Sequence, residues 1–166
     1  MKRLSPRAVS TLKVLHLLAV AAWVGGQMCL ILLSAMRPTM ADAADQYAIV
    51  LATEAIDEII IVGGAIGTLV TGLIYSLFTN WGFFRHRWLA VKWVLTVSLI
   101  LFGIFFLGPW AAEMADIALL RRAAAFTDPD FLAAERYSTI FGNIQFCLAI
   151  FLVIISVKKP WKHTRS

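Results

Sequence analysis

Two ionisable side chains stand where a membrane span should carry none. Lys92 lies one turn inside the apolar run Trp88 to Pro109 with no acid near it in sequence, and His16 lies about one turn past a charged leader in the run Thr11 to Met36. A charge taken into hydrocarbon is costly and usually functional. The imidazole can bind a metal or carry a proton, and the ammonium can hold an anion; both enter the bilayer at similar depth, which predicts one shared site. Each residue also has a structural reading. His16 would then be a hydrogen-bonded imidazole of the helix bundle, and Lys92 would extend its stem to the headgroups.

The elements that must position this pair follow from composition. The chain has 166 residues, 60% hydrophobic and only 15% charged, far from the soluble norm. Four stretches reach the roughly 20 residues that a bilayer core requires: about 11–36, 56–79, 88–109 and 138–157. Each must be a helix, because lipid offers the backbone no hydrogen-bond partner. The expected fold is an all-α integral membrane protein, one four-helix transmembrane domain over residues 1–166. The run 11–36 exceeds the apolar core of a signal peptide and has no convincing cleavage site, so it reads as an uncleaved span.

Charge placement gives an orientation. The leader (Lys2, Arg3, Arg7, Lys13), the second connection (Arg85, Arg87) and the tail (Lys158, Lys159, Lys162, Arg165) hold no carboxylate. All 10 acidic residues fall between Asp42 and Glu58 or between Glu113 and Glu135. The positive-inside rule then puts both termini in the cytoplasm and the protein, multi-pass, in a bacterial inner membrane. A net charge of +5 suits anionic lipid headgroups and gives no reason to expect nucleic acid.

At 100° per residue each span gathers one polar stripe. The stripes are His16, Trp23, Gln27 and Ser34; Asp57, Gly64, Thr68, Thr71 and Tyr75; Lys92, Thr96, Gly103 and Trp110; and Arg136, Thr139, Asn143 and Cys147. Lipid cannot satisfy such groups, so the stripes should converge on the bundle axis. The inner end would hold His16, Lys92, Thr71 and Tyr75, and the outer end a polar cluster of Gln27, Asp57, Asn143 and Arg136. Trp23 is too deep for an interfacial belt and should pack inside, whereas Trp81, Trp88, Trp110 and Trp161 suit belts. Cys29 and Cys147 read as buried free thiols. Gly25, Gly26, Gly63 and Gly67 mark close helix contacts, within the chain or between copies in a homo-oligomer. In the outer connections, Pro38 should end the first span and Thr39 or Asp42 cap a following helix. Ala111 to Phe126 reads as a short amphipathic helix at the interface, and Asp128-Pro129 as the cap of the last helix.

The segments Leu15-His16, Ala22-Trp23-Val24-Gly25-Gly26, Trp88-Leu89-Ala90-Val91-Lys92 and Val157-Lys158-Lys159-Pro160-Trp161 resemble the small four-helix membrane family of HemJ-type protoporphyrinogen IX oxidases. The CopD-like membrane proteins and a set of uncharacterised predicted integral membrane proteins are more distant relatives of the same kind, and the chain is most similar to the last. The resemblance covers all four spans. It implies that the first-helix histidine and third-helix lysine, here His16 and Lys92, form a functional pair associated with haem. The chain departs from the pattern after Leu32, where Arg37-Pro38 occurs without a second histidine. Arg136 and Asn143 match the fourth helix, but Ile144 and Gln145 supply no acid.

Haem iron takes a neutral imidazole, and His16 is the one histidine expected within the hydrocarbon. The expected cofactor is a single haem b or a porphyrin, with His16 as axial ligand and Lys92 paired with a propionate. His86 at the rim would be the second ligand, with Tyr75 a poorer one, and the activity would be that of a haem-dependent membrane oxidoreductase. Two alternatives belong to other classes. One is a non-catalytic membrane subunit or scaffold whose stripes serve packing alone. The other is copper handling through Met28, Cys29, Met36, Met40 and Met114, soft donors that select Cu(I).

Overall fold

The computed structural model describes residues 4–78 and 87–159. Trp81, His86, Trp161 and His163 lie outside the described residues. Four helical runs, Pro6–Thr39, Ala43–Phe78, Arg87–Thr127 and Pro129–Lys158, are each long and apolar enough to cross a membrane. Among the described residues there is no strand, and the architecture is that of a four-helix integral membrane bundle.

The helix starts follow local chemistry. Helix α1 (Pro6–Met36) begins with the Ser5 hydroxyl accepting from the Ala8 amide at 3.3 Å and with Pro6 at the first position. Helix α2 (Ala43–Ala55) is capped by Asp42, which accepts from the Ala44 amide at 2.9 Å. It continues through a π turn, Ile56–Ile61, into α3 (Val62–Phe78). Helix α4 (Arg87–Phe102) runs through a second π turn, Gly103–Leu107, into α5 (Gly108–Arg121), and a 3₁₀ segment, Arg122–Thr127, leads to α6 (Pro129–Lys158). Asp128 caps α6, accepting from the Asp130 and Phe131 amides at 2.9 and 3.4 Å. These carboxylate caps satisfy amides that the first helical turn leaves without partners.

The apolar run Trp88 to Pro109 ends at its proline, but the helix does not. A proline in a helix has no donor and crowds the carbonyl four residues back. The π turn that immediately precedes it shifts the hydrogen-bond register and absorbs the misfit, so the helix continues to Arg121. The helices expected in the two acidic connections are therefore present, as α2 and α5, but they extend the spans rather than form separate pieces. A 30-residue helix such as α6 is about 45 Å long, more than the roughly 30 Å hydrocarbon core. The surplus builds a second core at the acidic end, where Val50, Met114, Ala118, Ala125, Phe131 and Ala134 are buried together. The apolar face of α5 thus covers α2 and α6, while Leu119 and Leu120 stand exposed apart from it.

Helix α1 packs along α3, and the glycines say why they can approach. A Cβ on Gly64 would stand 2.5 Å from the Trp23 backbone nitrogen and 2.9 Å from the Ala19 carbonyl oxygen, and one on Gly67 would stand 3.0 Å from Ala19 Cβ. Gly26 is filled by the Ile61 side chain, while Gly25 and Gly63 meet nothing within 4 Å. Of the glycine faces that a second copy was expected to use, Gly26 and Gly67 are therefore taken up inside the chain. Helix α6 packs on α1, α4 and α5, whereas α3 and α4 scarcely touch. Three further expectations change. Cys29 and Cys147 are exposed, because they fall on the outward faces of α1 and α6. Trp88 is buried with Leu89 and Ile155 instead of lying in a belt. Met114 lies in the second core while Met28, Cys29 and Met36 are exposed, so the soft donors do not share one environment.

Candidate functional site

The seam left open between α3 and α4 holds a cavity of about 330 Å³ at the basic end of the bundle. Helix α1 supplies Lys13 and His16, α3 supplies Thr68, Gly72 and Tyr75, and α4 supplies Lys92. Lys159, just past α6, reaches its rim. A smaller cavity of about 120 Å³ adjoins it and shares His16, Leu17, Thr68, Lys92 and Thr96. His16 and Lys92, 76 positions apart by subtraction of their numbers, thus line the same two spaces.

The imidazole is held in one orientation. His16 Nδ1 lies 2.7 Å from Thr71 Oγ1, and that hydroxyl donates its single hydrogen to the Gly67 carbonyl oxygen at 2.5 Å. A hydroxyl already donating can only accept from the ring, so Nδ1 carries the hydrogen and Nε2 of the neutral ring keeps its lone pair. Gly72 lies beside the ring, and a Cβ there would make ordinary contact, 3.8 Å from His16 Cε1 and 4.0 Å from the Trp93 ring. Trp93 in turn donates through Nε1 to Ser76 Oγ at 3.2 Å, tying α4 to α3 across the seam. Tyr75 donates to the Val9 carbonyl oxygen at 3.4 Å, which directs its hydroxyl toward α1.

Among the described residues lining the larger cavity, three are lysines and none is a carboxylate. Thr68, Ser76 and Thr96 add hydroxyls, and Leu17, Leu69, Leu89, Trp88 and Trp93 supply apolar and aromatic wall. Such a space suits a largely apolar molecule with anionic substituents, and a haem or porphyrin meets that description: a flat hydrophobic macrocycle, acidic side arms, and iron that takes an imidazole nitrogen. Thr71 orienting the ring through Nδ1 is the kind of outer contact that fixes a ligating histidine. His86, expected as second ligand, lies outside the described residues.

The expected outer cluster is only partly gathered. Gln27, Asp57 and Asn143 line one small cavity near the acidic end, but Asn143 is exposed and its amide donates to the Thr139 carbonyl oxygen at 2.7 Å. Arg136 is exposed and does not line the cavity. The buried amide of α6 is Gln145. The spacing Phe131, Ala134, Ser138, Gln145, Ala149 and Leu152 marks the inward face of α6, and small or apolar residues at that period signalled it better than the polar residues did.

One constellation was not anticipated. Arg37, 7% exposed, donates from Nε to Glu135 Oε1 at 2.6 Å and from Nη1 to Gln46 Oε1 at 2.9 Å, with its guanidinium 5.1 Å from the Phe131 ring centroid. Arg121 pairs with the buried Asp128 that caps α6. These bonds fasten α1, α2, α5 and α6 together at the acidic end, far along the bundle from His16. No signal short of the three-dimensional fold pairs Arg37 with Glu135.

No curated protein and no solved structure matches the chain. A family model does, over residues 10–160, and that range takes in all four spans, both cavities and His16 with Lys92. The chain belongs to the DUF2269 family of predicted integral membrane proteins.

Proposed function

We propose that the cavity between α3 and α4 binds one haem b or porphyrin, with His16 Nε2 as axial ligand to the iron and Lys92 paired with a propionate. The observation that carries this reading is the His16–Thr71–Gly67 hydrogen-bond chain, which puts the ring hydrogen on Nδ1 and so reserves the Nε2 lone pair for a metal, on a histidine that lines a cavity together with Lys13, Lys92 and Lys159. The resemblance to HemJ-type proteins supports it, because the same two residues match that family's functional pair. A bound haem would supply one-electron redox chemistry, which makes a membrane oxidoreductase the activity class. The chain's own residues do the rest. Thr71 fixes the imidazole, Lys92 offsets its burial by neutralising a carboxylate, and Trp88, Trp93 and Leu69 cover the macrocycle and keep water from it. The lysine-rich end is the cytoplasmic one in this reading, in a bacterial inner membrane.

Absorption spectra of the detergent-purified protein, oxidised and reduced and with added hemin, test the reading. A Soret band at up to one haem per chain is the expected result. His16→Ala should abolish retention, because the axial bond goes and one ion pair remains. Lys92→Met should weaken retention less, by about a few kcal/mol for the carboxylate left without its partner. Absence of a Soret band after hemin addition overturns the proposal, and equal haem-to-protein ratios in wild type and both variants remove the two residues from the site.

A further inference from the structure

The acidic half of the bundle contains a second built site. A cavity of about 90 Å³ lies where α1, the π turn Ile56–Ile61 and α6 meet, and Gln27, Asp57, Ser138 and Gln145 line it. Gln27 is 7% exposed and Gln145 5%, so both amides are more than nine-tenths buried. Both amide atoms of Gln27, Gln145 Oε1 and Ser138 Oγ are buried without a hydrogen-bond partner. Orphaned polar atoms are uncommon in a protein interior and point to something that fills the space between them.

The chemistry of these atoms identifies the occupant. Two amide oxygens, a hydroxyl oxygen and the nearby Asp57 carboxylate offer lone pairs, against the Gln27 N–H₂ group and the one hydrogen of the Ser138 hydroxyl. An excess of oxygen acceptors around one negative charge calls for a cation. The cavity, about 90 Å³, has room for an ion with accompanying waters. Hard oxygen donors with a single carboxylate match a monovalent ion, which needs only one charge for neutrality. An adjoining cavity of about 330 Å³ shares Asp57, Ile61, Leu107, Ala111 and Gln145, adds Glu54 and Glu58, and has no lysine, arginine or histidine among its described lining residues. It forms an electronegative vestibule that concentrates cations at the entrance. The vestibule is flanked by both π turns, a helix irregularity often found at functional sites. We propose that Gln27, Asp57, Ser138 and Gln145 form a site for an alkali cation, sodium or potassium, in the acidic half of the membrane bundle.

The site is separate from the haem cavity and is tested separately. The unfolding temperature of the purified full-length protein is measured in sodium, potassium and choline chloride at one fixed ionic strength. Sodium or potassium should raise it above the choline value, and the shift should grow with the logarithm of concentration once the site fills; the more effective ion is the one the site selects. Asp57→Asn should abolish the shift, while Glu113→Gln, which removes an exposed carboxylate that lines neither cavity, should retain it. Ser138→Ala should reduce the shift, and it serves in place of Asp57→Asn should that variant not purify. Equal temperatures in all three salts overturn the proposal, because water or a protonated Asp57 then satisfies the amides. A shift that survives both Asp57→Asn and Ser138→Ala does the same.

Discussion

Replacing Gly64 by alanine should destabilise the protein, although alanine is the better helix former. An added Cβ would stand 2.5 Å from Trp23 N, 2.9 Å from Trp23 Cα and 2.9 Å from Ala19 O, all of them backbone atoms of α1 that cannot rotate away. Carbon contacts settle at about 3.5–4.0 Å, so the two helices must separate by about 1 Å. Overpacking of this kind costs about 1–3 kcal/mol, and alanine returns at most about 1 kcal/mol of helix propensity. The net loss should be about 1–2 kcal/mol. Gly63 is the internal control: its Cβ would meet nothing within 4 Å, so Gly63→Ala should be neutral or stabilising by up to about 1 kcal/mol. Unfolding by SDS in mixed micelles, followed by far-UV circular dichroism, measures both. A Gly64→Ala variant within about 0.5 kcal/mol of Gly63→Ala, the range of a surface substitution, would refute the argument that this seam sets the α1–α3 distance. The seam also carries the His16–Thr71 bond two turns away, so Gly64→Ala should lower haem retention as well.

Arg37→Met should cost about 3 kcal/mol in the same assay, because it leaves Glu135 and Gln46 without their donor in a buried setting, and Arg37→Met with Glu135→Leu should cost less than the single change. If the double variant loses as much as the sum of the singles, the pair is not acting as one unit. Thr71→Val should lose about 1 kcal/mol of stability and lower the haem-to-protein ratio, whereas Thr71→Ser should keep both; equal ratios would show that the hydroxyl does not orient His16. For orientation, single cysteines at Ser10 and Asp45 in a chain lacking Cys29 and Cys147 are labelled with an impermeant maleimide on spheroplasts. Asp45→Cys should react and Ser10→Cys should not; the reverse pattern places the lysine-rich end outside.

The site at the basic end was legible in the sequence because helical period alone aligns His16 with Trp23 and Thr68 with Thr71 and Tyr75, and because antiparallel spans bring positions of equal depth together. Lys92 announced itself by cost. The acidic end was harder to read. The π turn that lets α4 run on past Pro109 into α5 leaves no mark in composition. On α6, Asn143 falls on a stripe with Arg136 and Thr139, yet its amide bonds back to the Thr139 carbonyl of its own helix and needs no inward partner, whereas Gln145 is the buried amide. The apolar period through Ala134, Ala149 and Leu152 carried the phase instead. Arg37 is a long-range case: it stands 98 positions from Glu135, and the charge of either residue read alone looks like that of a solvated loop.

The scarcity of contact between α3 and α4 bears on how a ligand reaches the basic cavity. Two helices joined across their seam by the Trp93–Ser76 bond would, on the proposed reading, give a porphyrin a side door from the acyl chains. A greasy ligand using it arrives by lateral diffusion within one leaflet, so occupancy follows its mole fraction in the membrane rather than its concentration in the surrounding water. Detergent then acts as a competing solvent that dilutes the ligand as the micelle volume grows. Preparations extracted with little detergent, or held in lipid nanodiscs, should keep more pigment than those washed exhaustively, with no change in the protein itself.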